Sequence, residues 1–147
     1  MKLMIMKPIR MFAMFAALIL SVMVSACSFG GSSSVIGPTS SPTSEIFAGT
    51  VDVAGTDSHN FNVVESGGQV NVTLTAAGPP ATIFMGLALG NPSGTTCVLL
   101  SGAQTLAQAA TTSQLSGTVN AGTYCVAVFD VGNQSAQVAY SVTVSHF

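Results

Sequence analysis

The sequence predicts an all-β fold: a single antiparallel β-sandwich of about eight short strands, which follows a signal peptide and a flexible linker. Apolar and polar residues alternate over residues 70–76 and 138–145, as is typical of strands with one buried and one solvated face. Glycine, proline and asparagine interrupt this pattern at short intervals with residues that favour turns. Short, regularly spaced strands of this kind indicate a sandwich.

Residues 1–26 have the features of an export signal. The three basic residues of the chain all lie within its first ten positions, directly before an apolar run over residues 11–24. This run is too short to cross a hydrocarbon core of about 30 Å as a relaxed helix. We therefore expect the segment to be removed, so that Cys27 becomes the first residue. An uncleaved membrane anchor helix and simple secretion with a free Cys27 thiol are the alternatives.

The four residues Val24-Ser25-Ala26-Cys27 resemble the lipobox of bacterial lipoproteins, with valine where leucine is most frequent. The resemblance implies that the Cys27 thiol receives a diacylglyceryl group and that the new amino terminus is acylated. Each buried methylene contributes about 0.8 kcal/mol, so that two or three chains hold a protein firmly on a membrane. Because the next residue is Ser28 and not aspartate, the resemblance also implies transfer to the outer membrane in a Gram-negative host.

Residues 27–45 form the predicted linker, and residues 46–147 the predicted folded domain. The linker is rich in glycine, serine, proline and threonine and has no apolar periodicity. A flexible chain of this length spans about 20 to 25 Å. The domain, at about 100 residues, is large enough for one hydrophobic core.

The first half of the domain contains four predicted strands. The turn residues Ala54-Gly55-Thr56 separate the first strand from the second, and Ser66-Gly67-Gly68 separate the second from the third. The fourth strand is apolar on both faces, which predicts a central position in a sheet. Gly86 within it indicates a bulge or a close backbone approach. These strands are predicted over residues 47–53, 60–64, 70–76 and 82–89.

The second half contains four more predicted strands. The turn residues at positions 90–94 precede the fifth strand, and Asn120-Ala121-Gly122 separate the sixth from the seventh. Residues 103–110 have a helical composition and are predicted to form one helical turn or a loop. The strands are predicted over residues 97–100, 114–119, 123–131 and 138–145.

Three segments of the domain carry a likeness to one family. Residues 47–51 with 55–63 look like its opening strand pair, residues 69–74 like its next strand, and residues 120–128 like its penultimate strand. In these segments the chain resembles the bacterial pre-peptidase C-terminal domain, which is found beside secreted proteases and on many cell-surface proteins. The resemblance implies a jelly-roll-like sandwich. The second acidic residue that often follows the position of Asp57 in the family is absent here, so a calcium site is not expected.

The charge of the chain after residue 26 restricts its partners. It has five carboxylates and no lysine or arginine, which gives a net charge of −5. Binding to nucleic acid depends on basic side chains that displace counterions from phosphates, so we expect no nucleic-acid partner. Three of the carboxylates could supply oxygens to calcium, but aspartates in turns more often bond their own backbone. The three are Asp52, Asp57 and Asp130.

Three cysteines in an exported chain divide into one and two. If Cys27 is lipidated, Cys97 and Cys125 remain, and we expect them to form a disulfide. The chain-entropy estimate for a loop of about 29 residues is roughly 3.5 kcal/mol. The alternative is two separate buried thiols. A redox role is not expected because the Cys-x-x-Cys spacing is absent.

The domain offers few groups for catalysis. Asp57-Ser58-His59 is the best candidate, but a nucleophile, a base and an orienting acid must converge in space, and neighbours on a strand do not. His59 and His146 lack a third and a fourth ligand for a metal. The sequence therefore predicts no catalytic residue, no metal site and no cofactor.

The sequence as a whole predicts a non-catalytic binding or structural module, anchored by lipid in the cell envelope. We expect it to contact an envelope protein or a glycan by its exposed face. Candidate contact residues are Tyr124, Asn62 and Gln137, although a core or strand-face role is expected for each. The alternative is an accessory domain or weak hydrolase that uses the His59 region. In a third reading, the tether and the fold matter more than any ligand.

Overall fold

Eight antiparallel strands form two four-stranded sheets that pack face to face in the computed structural model, which describes residues 40–147. The all-β sandwich predicted from the sequence is therefore confirmed. Cys27, the predicted signal segment and residues 27–39 of the predicted linker lie outside the described residues. Within residues 40–147, there is no helix of the length and hydrophobicity needed to cross a membrane.

The order of the strands is that of a jelly roll. One sheet has the order β1-β8-β3-β6 and the other β2-β7-β4-β5. In each sheet, strands from the first half of the chain lie beside strands from the second half, as in a double Greek key. The strands are β1 (Thr43–Val51), β2 (Thr56–Val63), β3 (Gly68–Gly78), β4 (Met85–Ser93), β5 (Thr96–Ala107), β6 (Leu115–Val119), β7 (Gly122–Phe129) and β8 (Val138–His146).

The core lies between the sheets and is built by the alternation seen in the sequence. Val138, Tyr140, Val142 and Val144 of β8 are all buried, as predicted. In β3 the alternation holds as far as Leu74, and a register shift against β8 follows between Leu74 and Ala76. As a result Ala77 is buried and Ala76 is exposed. The bulge therefore moves the end of β3 out of the phase that the sequence predicted.

The central position predicted for the fourth strand is confirmed. β4 lies between β7 and β5, and its residues from Met85 to Gly90 are buried on both faces. The strand begins at Met85, later than predicted, and continues through the predicted turn at residues 90–94 as far as Ser93. The chain reverses at Gly94, whose φ of 60° suits glycine.

The helical turn or loop predicted over residues 103–110 is wrong for its first five residues. β5 extends to Ala107 and pairs with β4, with Gln104 opposite Ala88 and Ala107 opposite Met85. The alanine- and glutamine-rich composition favours a helix by intrinsic propensity, but strand pairing overrides that preference. Between Leu99 and Gln104 the register against β4 shifts, so β5 carries a bulge near its middle.

The start of the domain also differs from the sequence boundary. β1 begins at Thr43, where it pairs with His146 at the end of β8, three residues before the predicted domain start at residue 46. β2 begins at Thr56, four residues before the predicted start of the second strand at Asn60, because the intervening turn is short. Its backbone hydrogen bond runs from the Gly55 N–H to the Asp52 carbonyl, at 2.8 Å.

Candidate functional site

Both histidines of the chain lie along the border between edge strands β1 and β2, where the two sheets meet. Alternation along β2 turns Asp57, His59 and Phe61 toward the core, and leaves Ser58 and Asn60 on the opposite face. β8 lies next to β1 in the β1-β8-β3-β6 sheet. We call this set of inward side chains the seam. It consists of Glu45, Phe47, Asp57, His59, Tyr140 and His146.

Tyr140 is at the centre of the seam. Its hydroxyl donates a hydrogen bond to Oδ2 of Asp57, at 2.8 Å, and lies 2.9 Å from Nε2 of His59. A tyrosine hydroxyl has one proton, so His59 must donate from Nε2 to the tyrosine oxygen. Burial raises the pKa of Tyr140, and its hydrogen bond to the Asp57 carboxylate raises that pKa further. Tyr140 is thus held as a neutral donor.

Phe47 and Gly49 on β1 complete the surroundings of this cluster. The ring of Phe47 stacks on the imidazole of His59, with centroids 5.0 Å apart and planes inclined by 9°. A Cβ at Gly49 would overlap the Asp57 carboxylate and lie 3.0 Å from the Tyr140 hydroxyl. Glycine at this position therefore lets the polar groups of β2 and β8 meet beneath β1.

His146 forms a second polar contact in the seam. Its Nε2 lies 2.8 Å from Oε1 of Glu45, and its ring packs 5.3 Å from that of Phe61. The side chain is 4% exposed, and within residues 40–147 no group hydrogen-bonds its Nδ1 atom. His146 thus contacts a carboxylate of β1 directly, whereas His59 and Asp57, both on β2, meet at the Tyr140 hydroxyl of β8. Inward-pointing charged groups also discourage edge strands from pairing with other chains.

The sequence triplet Asp57-Ser58-His59 does not come together as a catalytic unit. Asp57 and His59 face inward, while the hydroxyl of Ser58 lies on the other face of β2. The contribution of Ser58 to the cluster is its backbone N–H, which donates to Oδ1 of Asp57 at 2.8 Å. The seam contains a hydrogen-bonded chain that consists of the Asp57 carboxylate, the Tyr140 phenol and the His59 imidazole. This chain contacts the core on one side and β1 on the other.

Each of the three aspartates that the sequence offered as calcium ligands is hydrogen-bonded to a different set of protein groups. Asp57 belongs to the seam, and Oδ1 of Asp52 accepts a hydrogen bond from Nε2 of Gln137 at 2.7 Å. Asp130 accepts from the Ala54 N–H at 2.8 Å and from three backbone N–H groups of its own loop, those of Gly132, Asn133 and Gln134. The Ala54 N–H, helped by these amides, lowers the pKa of Asp130. Across residues 40–147, no three or more His, Cys, Asp or Glu side chains are grouped closely enough to hold a metal ion.

Cys97 and Cys125 form a disulfide, with Cα atoms 5.9 Å apart. The bridge joins β5 to β7 and crosses over Gly90 of β4, the strand between them. A Cβ at Gly90 would lie 2.7 Å from Sγ of Cys97 and 2.5 Å from the Val98 carbonyl oxygen. A glycine at this position is therefore required for the bridge to pass.

A cleft of about 310 Å³ lies on the sheet that contains β5 and is lined by Gln104, Thr105, Leu106 and Phe129. The sequence reasoning missed this cleft. One signal pointed toward it, because Gly86 was expected to mark a close approach. A Cβ at Gly86 would overlap the ring of Phe129, so the close approach is made by that ring.

The three candidate contact residues have structural partners. The Tyr124 hydroxyl donates to the Asn120 carbonyl at 3.0 Å, and the Tyr124 ring lies 6.2 Å from that of Phe61. Asn62 bonds the Thr123 hydroxyl across the β2–β7 pair. The third, Gln137, is the partner of Asp52.

Comparisons of the chain with protein-family models, curated proteins and solved structures gave no match. The resemblance to the pre-peptidase C-terminal domain therefore stays a prediction.

Proposed function

We propose that this protein is a lipid-anchored component of the bacterial cell envelope and that its jelly roll is a non-catalytic binding or structural module. The lipobox-like sequence at Cys27 supports the anchor. The glycine- and serine-rich linker supports display of the domain at a distance from the lipid. Because the domain has no lysine or arginine, contact with phosphates or acidic polymers is disfavoured.

The observation that carries the non-catalytic proposal is the state of the seam. The catalytic candidates Asp57 and His59 bond Tyr140, and Phe47 stacks on the imidazole. These contacts join β1, β2 and β8 across the border of the two sheets. A general base must instead reach the proton that it removes from a substrate, and the hydroxyl of Ser58 lies on the opposite face. The seam is better suited to holding the edges of the sandwich than to chemistry on a bound molecule.

Intact mass spectrometry of the chain expressed in a bacterial host tests the anchor, with membrane and soluble fractions kept apart. We expect a membrane-bound species that begins at Cys27 and carries added acyl chains. The matched control is Cys27→Ser, which removes the acylated thiol and should leave an unacylated chain. An unacylated wild-type product in the soluble fraction would overturn the anchor.

The alternative, a weak hydrolase that uses the His59 region, is favoured by one feature, the hydrogen-bonded chain from Asp57 through Tyr140 to His59. It predicts turnover of an ester, peptide or glycoside substrate that is lost in His59→Ala. Wild-type protein without turnover on all three substrate classes would remove this alternative.

A further inference from the structure

The outer face of the β2-β7-β4-β5 sheet has a floor of small residues. Gly86 and Ala88 of β4 and Ala127 of β7 are buried, although they point away from the core residues Leu87 and Val128. Larger side chains beside this floor, those of Gln104, Thr105, Leu106 and Phe129, line the cleft. Its volume, about 310 Å³, is at the small end of the roughly 300 to 1,000 Å³ that ligand pockets occupy.

Phe129 forms one wall of the cleft. Gly86 pairs with Phe129 across the β4–β7 ladder, and three adjacent atoms of the ring occupy the place where a Cβ of residue 86 would be. The ring therefore packs on the backbone of Gly86. Phe129 is partly exposed, so an apolar aromatic surface remains accessible beside the floor.

β5 supplies the opposite wall. Leu106 pairs with Gly86, and Gln104 pairs with Ala88. The side chains of Leu106 and Gln104 therefore project from the outer face, beside the floor. Leu106 is 64% exposed, and Gln104 is also exposed to solvent. The bulge of β5 ends at Gln104, and bulges often redirect a side chain beside a functional site. The cleft thus combines an aromatic surface, an aliphatic side chain and an amide that can donate and accept hydrogen bonds.

The charge around the cleft restricts what it can hold. None of its four lining residues is charged. The nearest carboxylate in sequence, Asp130, accepts hydrogen bonds from four backbone N–H groups and is therefore already satisfied. None of these four side chains could offset the desolvation of a charged ligand with an opposite charge. A suitable occupant is uncharged, is about the size of one ring, and has both an apolar face and hydroxyl groups.

We propose that this cleft binds a sugar ring of a neutral polysaccharide, with the ring against Phe129 and Leu106 and its hydroxyls bonded to Gln104. The proposal deepens, and rests on, the proposed binding role of the domain. A protein partner suits the cleft less well, because a stable protein interface needs about 800 Å² from each partner. Since β5 is an edge strand, the cleft is open on that side and the rest of a polysaccharide chain can continue past it.

The test is native electrophoresis of the full chain, in non-ionic detergent, through gels that contain laminarin, galactomannan, xyloglucan or glycogen. We expect at least one of these neutral glycans to slow the wild-type protein. Gln104→Ala and Leu106→Ser should each weaken this binding at least tenfold. Ile46→Ser is the matched control, since Ile46 is an aliphatic residue of the other sheet that is 72% exposed, and it should bind as the wild type does. Alginate, an acidic polymer of the same ring size, should have no effect.

Several results would overturn the proposal: no retardation by any of the four neutral glycans, equal binding by the Gln104→Ala variant, or equal retardation by alginate. Sedimentation of the same samples identifies a competing occupant. A dimer that Leu106→Ser dissociates would assign the cleft to a second copy of the chain and would also overturn the proposal. The mass of the membrane-bound species tests the anchor separately, so failure of the glycan test is distinguishable from failure of the proposed envelope location.

Discussion

Tyr140→Phe removes the hydroxyl at the centre of the seam, and we expect it to destabilise the domain by about 1.5 to 2 kcal/mol. A hydrogen bond to a charged group contributes roughly 1.5 to 3 kcal/mol. The lower part of this range applies because the side chain of Asp57 is 33% exposed and can regain water when its donor is lost. For a domain of about 100 residues, this loss corresponds to a fall in Tm of roughly 6 to 16 °C.

The pH dependence of the same variant separates the hydroxyl from the ring. Burial and the Asp57 carboxylate raise the pKa of Tyr140 in the folded state, so neutral Tyr140 stabilises the fold in full below the unfolded pKa of about 10. This stabilisation is lost as the pH rises from there toward the folded pKa, by about 1.4 kcal/mol per pH unit. The variant has no hydroxyl to ionise at this position, so the stability gap between wild type and variant should narrow above pH 10.

Urea denaturation at pH 7, 9 and 11, followed by circular dichroism, measures both effects. Tyr124→Phe is the matched control, because the Tyr124 hydroxyl donates to a backbone carbonyl in an exposed position. We expect the control to lose less than about 1 kcal/mol and to keep the alkaline loss of stability that Tyr140 causes. Equal losses in the two variants, or a wild-type to Tyr140→Phe gap that stays constant up to pH 11, would refute the role given to the Tyr140 hydroxyl.

Three further changes test other parts of the structure. Gly86→Ala should cost about 1 to 3 kcal/mol by overpacking, and a double-mutant cycle with Phe129→Ala should show that most of this cost disappears without the ring. Asp130→Asn should flatten the acid limb of the stability curve, because the lowered pKa of Asp130 gives stability that is lost as the pH falls through the folded value. Replacing Cys97 and Cys125 by alanine should cost about 3.5 kcal/mol in urea denaturation, and a reversible wild-type unfolding curve that reduction leaves unchanged would contradict the bridge.

The parts of the fold that the sequence predicted best are those governed by local periodicity. In β8, every second residue from Val138 to Val144 is buried, because one face of this strand packs on the core along its whole length. β4 has apolar residues on both faces, and it lies inside its sheet for that reason. Patterns of this kind depend on the chain within a few residues, so they can be interpreted without knowing the neighbouring strands.

The errors occur where a distant strand decides the outcome. Residues 103–107 have a helical composition, yet they pair with the beginning of β4, some 20 residues earlier in the chain. Ala76 fits the alternation of β3 but is exposed because of a bulge against β8. The position of that bulge cannot be predicted from a local sequence pattern, since it depends on how two strands far apart in sequence align.

The seam could not be predicted for the same reason. Asp57 and Tyr140 are 83 positions apart, and Glu45 and His146 are 101 positions apart. The sequence triplet around His59 suggested a site because its residues are adjacent, whereas alternation along a strand separates Ser58 from its two neighbours. The close approach at Gly86 was predictable from a glycine inside an apolar strand, but the identity of its partner, Phe129, depends on the order of strands in the sheet.

The lack of lysine and arginine explains how this domain holds its aspartates. Asp52 accepts a hydrogen bond from a glutamine amide, Asp57 from a phenol and Asp130 from backbone N–H groups. Neutral donors therefore bind these carboxylates in place of lysine and arginine. Such hydrogen bonds are short-ranged and are screened little by salt, in contrast to pairs of exposed charges. A surface built in this way cannot attract an anionic or uncharged partner from a distance by its charge. It has to be brought close to that partner, and a lipid anchor with a flexible linker would do so.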